Sequence, residues 1–450
     1  MTPVAPRLAW EYEGFEALRL LADKERSGPA ALGWDHRRFR RLLGRLGEPQ
    51  HRMRSTLVAG SKGKGSTALL LASILAAQGR CTGLYTQPHL ARYAERIRIA
   101  RPPASEAVPG DDGAIPSAAR TPLSELPARE SRALLHTVLA AAPGPITAFE
   151  AATALAILAF AAAGVTDAVL EVGFGGRLDA AAECEPHLVL FTPMEREHAD
   201  LLGPGLADIA AHDAALLRYG MACRSVPQPE EVQRLLTARA VAHGVDLQLV
   251  RPPEPLADGR LRLITPSGQT LVAACALPGL YQRINAALAI GGAEVLGAAT
   301  PSAVVAGLAA ARWPGRFERF AGHPDWLLDG AHTAGSAQAL AAAITEAYPG
   351  RPLALVVGML RDKDVAGVAR GLATLGGRVW AVTPTHPRAM AATDVAAAWA
   401  TALPASPRVV VAPALRVALA QAAAHVGPHG LCVLTGSLHL IAEARRGFAP

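Results

Sequence analysis

The sequence predicts an α/β protein of two domains, each built on a mostly parallel sheet with helices on both faces. Short aliphatic segments alternate with alanine-rich helical segments, and this alternation pauses at residues 297–301 and then restarts. Strands that alternate with helices usually pair in parallel. A chain of 450 residues also exceeds what one core usually organises. We therefore expect a larger domain over residues 1–297 and a smaller one over 298–450.

The expected elements of the first domain begin with two amphipathic helices within residues 14–47. Strands are expected at Thr56–Ala59, Thr82–Thr86, Asp167–Val172, His187–Thr192 and Met221–Val226. Helices are expected at Ala68–Gln78, Ser131–Ala141, Phe149–Ala163, Leu206–Tyr219 and Gln282–Leu296, with a strand-rich stretch at Asp246–Ala276. Residues 101–130 are rich in Pro, Gly, Ser and Ala, which is typical of a mobile surface insertion.

The second domain repeats the alternation of strands and helices. Its expected strands are Trp326–Leu328, Leu353–Val357, Arg378–Val382, Val409–Val411 and Leu431–Thr435. Ligands of open α/β sheets bind beyond the carboxyl ends of the strands. Polar residues that directly follow a strand are therefore the candidates for a site.

Composition excludes several classes of function. The chain is 51% hydrophobic and 18% charged, with a net charge of +6, which suits anionic ligands but also fits a general drift towards arginine. It has no lysine-arginine block with interleaved aromatics, so nucleic-acid binding is not expected. The five cysteines form no CxxC pair, and the apolar run 151–164 is too short to span a bilayer. We expect a soluble cytoplasmic protein without a membrane partner.

The most informative segment joins the first expected strand to its helix. It reads Gly60-Ser61-Lys62-Gly63-Lys64-Gly65-Ser66-Thr67. Glycines let backbone N–H groups point inward at a phosphate chain, and the helix that follows adds the positive end of its dipole. Lys64 suits the terminal phosphates and Ser66 suits a magnesium ion. The alternative is an ordinary glycine turn before a helix, but the order of strand, loop, lysine, hydroxyl and helix favours a nucleoside triphosphate site.

Two further residues follow strands of the same sheet. Glu171 ends a buried strand just before a glycine-rich turn, where a carboxylate needs a cation. That cation is either magnesium on a triphosphate or the nearby Arg177. His198 follows the next strand, so it is either a metal ligand or a structural histidine.

Three residues near the predicted domain boundary suggest nucleotide contacts. Asn285 opens an expected helix, where it either presents its amide to an adenine or caps the helix. Arg316 lies in a loop and is placed like a phosphate clamp. Asp329 ends a strand, in Asp329-Gly330-Ala331-His332, and is placed like a ligand of a ribose or of magnesium-bound water.

The ordered set of motifs resembles the folylpolyglutamate synthase and dihydrofolate synthase family, part of the Mur ligase group. The matching segments run from about Gly47 to Ala442 and include the phosphate loop, residues 88–98, 170–180 and 198–203, Gln282-x-x-Asn285-Ala286, residues 313–316 and 329–332, 360–364 and 435–438. The resemblance implies a Mur-ligase-like fold with a P-loop domain followed by a Rossmann-like domain. It also implies an ATP-dependent, ADP-forming amide ligase that adds L-glutamate to a folate or pteroate through an acyl phosphate.

The resemblance also implies residue roles. Lys64, Glu171, His198 and Asp213 are the expected catalytic residues. The expected ATP contacts are Gly60, Gly63, Lys64, Gly65, Ser66, Thr67, Asn285, Arg316 and Asp329. The expected Mg²⁺ ligands are Ser66, Gln87, Glu171 and His198, and a monovalent cation such as K⁺ is a further expected cofactor. His89, Arg92, Asp179 and His332 are expected on the substrate side, in a monomer that binds only small molecules.

The chain departs from the family pattern at the metal site. Gln87 stands where relatives have a serine that binds metal. Asp213 stands where relatives have a lysine that is carbamylated to hold a second magnesium ion, so we expect Asp213 to supply that carboxylate directly or through water. These changes leave two alternatives open, namely a ligase for another acid and amine, or a nucleotide-binding homologue that has lost ligation.

Overall fold

The computed structural model describes residues 11–21, 35–102, 122–173, 175–196, 202–403 and 409–448. The chain divides into two compact units. The first comprises Met1–Ala276 and Gln282–Ala311, and the second comprises Leu277–Tyr281 and Arg312–Pro450. Each unit contains its own cluster of buried apolar residues.

The first unit is built on an eight-stranded sheet. Its strands are β1 (Arg54–Ala59), β2 (Thr82–Tyr85), β3 (Ile97–Ala100), β4 (Ser124–Glu125), β5 (Asp167–Glu171), β6 (Leu188–Phe191), β7 (Ala222–Ser225) and β8 (Asp246–Leu249). The strand order is β4-β3-β2-β5-β1-β6-β7-β8. Only the β2–β3 and β3–β4 pairs are antiparallel. The carboxyl ends of β1, β2, β5 and β6 therefore lie at the same edge, with β1 between β5 and β6.

Eight helices of the first unit are described. They are α1 (His36–Arg45), α2 (Lys64–Ala77), α3 (Ala128–Ala141), α4 (Ala148–Ala162), α5 (Leu206–Ala214), α6 (Glu230–His243), α7 (Leu280–Val295) and α8 (Pro301–Ala310), of which α7 begins in the second unit. Helix α2 is buried continuously from Ser66 to Ala77, as its unbroken apolar sequence predicts. In the described part of the chain, no helix is long and apolar enough to cross a membrane.

The first unit extends beyond the boundary expected at residue 297. Helix α8 packs on α2, and the hydroxyl of Thr300 donates to Gln78 Oε1 at 2.7 Å. The backbone N–H of Ala276 also donates to the carbonyl of Leu308 at 3.0 Å. These contacts place α8 in the first unit, together with a small antiparallel sheet of β9 (Glu254–Pro255), β10 (Leu261–Ile264) and β11 (Thr270–Ala273).

The second unit has a six-stranded sheet of order β12-β13-β17-β14-β15-β16. Its strands are β12 (Glu318–Phe320), β13 (Asp325–Leu328), β14 (Leu353–Val357), β15 (Arg378–Ala381), β16 (Val410–Val411) and β17 (Leu431–Thr435). Its helices are α9 (Ala334–Ala347), α10 (Val365–Leu372), α11 (Ala392–Ala402), α12 (Leu415–Val426) and α13 (Leu438–Arg445). All strand pairs are parallel except β12–β13.

The predicted α/β class with two mostly parallel sheets is confirmed, while several local expectations differ. Residues 124–130, expected within an insertion, form β4 and the start of α3, whereas 103–121 lie outside the described residues. Helix α5 ends at Ala214 rather than Tyr219. Strands β3, β4 and β12 and helix α6 were not expected. These short strands are stabilised by pairing with other strands, β3 with β2, β4 with β3 and β12 with the adjacent β13, and such pairing is weakly encoded in a run of two to four residues.

Candidate active site

The predicted phosphate loop lies at the carboxyl edge of the first sheet. Strand β1 ends at Ala59 and α2 begins at Lys64. Gly60 and Gly63 between them have φ of +119° and +87°, a backbone conformation that favours glycine. A Cβ at Gly60 would lie 2.4 Å from Thr192 Oγ1, and one at Gly63 would lie 2.4 Å from Asn285 Oδ1. The loop therefore requires glycine at both positions.

The loop divides into a fixed start and an open end. The N–H groups of Ser61 and Lys62 donate to the carbonyl of Pro193 at 2.9 and 3.2 Å. By contrast, the N–H groups of residues 63–66 find no acceptor within the described ranges, and α2 has no side-chain cap. Unpaired N–H groups at a helix N-terminus favour an anion. Lys64 Nζ lies nearby and donates to the carbonyl of Gly60 at 2.8 Å.

Ser66, Gln282 and Asn285 form a buried hydrogen-bonded row. Gln282 Nε2 donates to Ser66 Oγ at 3.1 Å, and Asn285 Nδ2 donates to Gln282 Oε1 at 3.0 Å. The expectation that Asn285 opens a helix is wrong, because α7 begins five residues earlier at Leu280. Asn285 therefore does not cap α7, and its amide lies against Gly63.

Glu171 is the last residue of β5 and is buried, with 5% of its surface exposed. Its Oε2 accepts the backbone N–H of Gln87 at 2.8 Å, so the ends of β2 and β5 meet at this carboxylate. Arg177, the alternative cation, is exposed. Gln87 Nε2 is buried without an acceptor in the part of the chain that the structure describes. The amide oxygen is the atom of Gln87 that could bind a metal, and exchanging the two ends of the amide would place it at this buried position.

The donors at this edge fit a hard divalent cation. The Ser66 hydroxyl follows β1 and the Glu171 carboxylate ends the neighbouring β5, with Val58 and Glu171 in register. Among the described residues no group of three or more His, Cys, Asp or Glu side chains could hold a metal ion. Mg²⁺ nevertheless binds through one or two protein oxygens together with phosphate oxygens and water. His198, the remaining expected ligand, lies outside the described residues.

Asp213 lies on α5 beside the phosphate loop. A Cβ at Gly176 would approach Asp213 Oδ1 to 3.1 Å, so the end of α5 packs directly on the turn after β5. The pKa of Asp213 is raised to about 6, chiefly by burial and also by the charge of Asp179. The charge of Lys64 and the N–H groups of Gly60 and Gly176 oppose this shift. The negative charge of Asp213 is therefore unfavourable in this buried position, and the positive charge of Lys64 offsets part of that cost.

We expect this burial to make stability depend on pH. A carboxyl pKa near 6 in the folded state and near 4 when unfolded means that the folded state binds the proton more tightly. The contribution is therefore fully present below about pH 4 and is lost as the pH rises through about 6, at a cost of up to about 3 kcal/mol. Denaturant unfolding of the wild type and Asp213→Asn between pH 4 and 8 should show the variant gaining relative stability as the pH rises. Parallel profiles would contradict this assignment.

The residues of the first unit that we expect on the substrate side form hydrogen bonds with other residues of the chain. His89 Nε2 lies 3.0 Å from Glu11 Oε1, and its Nδ1 accepts from Arg96 Nε at 2.9 Å. Arg92 donates to Glu125 at 3.0 Å. Asp179 is fully buried and accepts the N–H groups of Gly173 and Ala181 at 2.7 and 2.9 Å, so it braces the turn that follows Glu171.

The expected residues of the second unit cluster where β13 ends. Asp329 is buried and accepts the N–H groups of Phe317 and Ala331, both at 2.8 Å. Burial raises the pKa of Asp329, and the charge of Arg316 opposes that shift. His332 Nδ1 lies 2.8 Å from the carbonyl of Gly330, and because a carbonyl only accepts, the proton of the neutral ring belongs on Nδ1.

The structure brings Lys64, Ser66, Thr67, Glu171 and Asn285 to one edge of the first sheet. Sequence reasoning did not assign a role to Gln282, although it stands three residues before Asn285 on the same helical face. This three-residue spacing from Asn285 is the sequence feature that could have identified Gln282 as a site residue. Thr67 Oγ1 is buried with no partner among the described residues, which leaves a second hydroxyl unused beside Ser66.

The chain is similar to known proteins over most of its length. Residues 315–438 match the family description "Mur ligase, glutamate ligase domain". The chain is 32% identical to the folylpolyglutamate synthase of Lacticaseibacillus casei over 369 residues, covering 79% of this chain and 83% of that protein. A solved structure of the Yersinia pestis bifunctional folylpolyglutamate synthase/dihydrofolate synthase, complexed with AMPPNP and Mn ion, matches with a TM-score of 0.77 at 26% identity, covering 99% of each chain.

A longer relative also aligns. The probable bifunctional folylpolyglutamate synthase/dihydropteroate synthase of Halobacterium salinarum is 32% identical over 438 residues, covering 96% of this chain. The chain spans about half of that relative, 51% of its length. The L. casei match covers both units, and the fold agrees with a solved Mur-ligase-type structure over nearly its whole length. The chain therefore belongs to the folylpolyglutamate synthase and dihydrofolate synthase family of Mur ligases.

Proposed function

We propose that this protein is an ATP-dependent, ADP-forming ligase that joins L-glutamate to the carboxylate of a folate or a dihydropteroate. A carboxylate oxygen of the acceptor attacks the γ-phosphorus of ATP, and ADP leaves. The glutamate amine then attacks the acyl carbon of the resulting acyl phosphate, inorganic phosphate leaves, and the nitrogen loses its proton. Both steps need precise placement of the reactants and positive charge around the phosphoryl group.

The observation that carries this proposal is the open end of the phosphate loop. The four N–H groups of residues 63–66 lack acceptors in the described ranges, and the Lys64 ammonium lies beside them. In this proposal the N–H groups bind phosphate oxygens, and Lys64 exchanges its carbonyl partners for the terminal phosphates. The fixed start of the loop keeps these groups aimed before the nucleotide arrives.

The remaining roles are assigned by family membership and stay proposals. Ser66 and Glu171, with His198 and Gln87, would hold a magnesium ion whose chemistry is to neutralise charge on the transferring phosphoryl group. Asp213 would supply the carboxylate that relatives obtain from a carbamylated lysine. Arg316 and Asp329 are proposed nucleotide contacts. His89, Arg92, Asp179 and His332 are proposed on the substrate side.

The proposed partners are small molecules alone. None of the five cysteines, all of which lie in the described ranges, forms a disulfide, which fits the reducing cytoplasm that we propose as the compartment. We also propose that the protein works as a monomer. A ligase for another acid and amine is favoured as the second candidate by Gln87 and Asp213, the two departures at the metal site.

The test is ADP release by the purified protein with ATP, Mg²⁺ and L-glutamate, with dihydropteroate, tetrahydrofolate or no acceptor. We expect release that needs both glutamate and one of the two acceptors, accompanied by the mass gain of one glutamyl residue on that acceptor. Release with only a different acid would favour the second candidate. ATP binding without any acceptor-dependent release would mean that ligation has been lost.

A further inference from the structure

The hydroxyl of Ser66 is held in a fixed orientation before any nucleotide binds. Ser66 is 8% exposed, and its Oγ accepts a hydrogen bond from Gln282 Nε2 at 3.1 Å. A serine hydroxyl has one proton and two lone pairs. Because Gln282 occupies one lone pair, the other lone pair and the proton of Ser66 remain for groups outside this row.

The amide of Gln282 is itself oriented. Gln282 and Asn285 are both 2% exposed, and Asn285 Nδ2 donates to Gln282 Oε1 at 3.0 Å. This bond identifies the oxygen end of the Gln282 amide, so the nitrogen end faces Ser66. A buried amide with both ends bonded does not rotate freely, since turning it would leave two buried polar groups unpaired.

Asn285 also touches the loop one turn before Ser66. A Cβ at Gly63 would lie 2.4 Å from Asn285 Oδ1 and 3.0 Å from its Cγ and Nδ2. The Asn285 amide is therefore pressed against the residue that directly precedes α2. The pair Gln282–Asn285 thus contacts both Gly63, where the open N–H groups begin, and the hydroxyl at Ser66.

We propose that Gln282 is a positioning residue that fixes the Ser66 hydroxyl for a divalent cation, and that Asn285 supports it by orienting the Gln282 amide and bracing Gly63. This inference rests on the proposed nucleotide function of the loop. It gives Asn285 a role beside the loop in addition to the contact with adenine that the sequence predicted. Neither residue is expected to touch the transferred phosphoryl group.

The test is calorimetric binding of ADP, with Mg²⁺ and with EDTA, to the wild type, Gln282→Leu and Ser66→Ala. Leucine has a similar volume but donates no hydrogen bond. We expect Gln282→Leu to lose most of the Mg²⁺-dependent tightening, about ten-fold, while its affinity in EDTA stays within about two-fold. Combined with Ser66→Ala, it should cause no further loss, because both changes break one interaction.

The controls separate this proposal from its alternatives. Glu294→Gln, on the same helix but bonded to Ser267 away from the loop, should bind ADP as the wild type does under both conditions. For Asn285→Ala, tripolyphosphate serves as a probe without adenine. We expect that variant to bind tripolyphosphate, as well as ADP, more weakly than the wild type does, whereas weakening of ADP alone would overturn the bracing role.

The outcomes distinguish failure of the inference from failure of the proposed function. Normal Mg²⁺-dependent tightening in Gln282→Leu, or losses that add to those of Ser66→Ala, would overturn the positioning role and leave nucleotide binding intact. Should the wild type bind neither ADP nor tripolyphosphate, the proposed function fails, and the inference fails with it. If Gln282→Leu does not fold, Gln282→Met, whose unbranched side chain is of similar size and donates no hydrogen bond, should show the same loss.

Discussion

Lys64→Ala is expected to lower glutamate-dependent ADP release by about a thousand-fold, the loss typical of removing a main stabiliser of transition-state charge. Lys64 is the first residue of α2, and its ammonium donates to the loop carbonyls of Gly60 and Ser61, at 2.8 and 3.3 Å. Alanine is the best helix former, so α2 should remain intact. The fold is therefore expected to survive while the phosphoryl group loses its nearest loop cation.

The matched control is Lys62→Ala, which removes the same charge two residues earlier in the same loop. The backbone N–H of Lys62 donates to Pro193, so this residue belongs to the fixed start of the loop rather than to its open end. We expect the control to change ADP release by less than about ten-fold, because a charge outside the reacting geometry contributes through screened long-range attraction only. Equal losses in the two variants would show that the loop acts through net charge rather than through a placed ammonium.

The phosphate loop was predictable because every signal for it is local. A run of strand formers, glycines at residues 60 and 63, a lysine and an apolar helix follow one another without interruption. Both β1 and α2 form there, although α2 begins at Lys64 rather than at the expected Ala68. Strands β14 and β17 agree with the expected bounds for the same reason. Each is a short run of mostly aliphatic residues, typical of a strand buried on both faces.

The bonds among the site residues were not predictable in this way. Gln282 meets Ser66 across 216 positions of sequence, and Gln87 meets Glu171 across 84. Such contacts depend on the order of strands in the sheet, which brings the ends of β1, β2 and β5 together. The start of α7 was misplaced for a related reason. Gly279, with φ of +107°, interrupts the backbone just before Leu280, and the helix begins there rather than at Gln282.

Glu171→Gln is expected to cause a loss of similar size, about a thousand-fold in ADP release, by a different route. Glutamine keeps the shape of the side chain and an oxygen that accepts the N–H of Gln87, now 2.8 Å away. It removes the negative charge that a divalent cation requires. Because the hydrogen bond from Gln87 is kept, the melting temperature of the ligand-free protein should not fall. Activity and stability are thus expected to separate.

Glu183→Gln is the control that tests whether a loss of activity without a loss of stability is specific to the proposed metal site. Glu183 is about as buried as Glu171, and it pairs with His36 and Arg40 away from the phosphate loop. Removing one partner of a buried ion pair destabilises a protein, so this variant should melt at a lower temperature while each folded molecule keeps its activity.

Melting curves recorded with ADP alone and with ADP plus Mg²⁺ provide a second, independent test of the metal site. Since a bound ligand raises the melting temperature, only Glu171→Gln should lose the increment due to Mg²⁺. An increment retained by Glu171→Gln would remove this carboxylate from the metal site and leave Ser66 as its anchor on the described edge of the sheet.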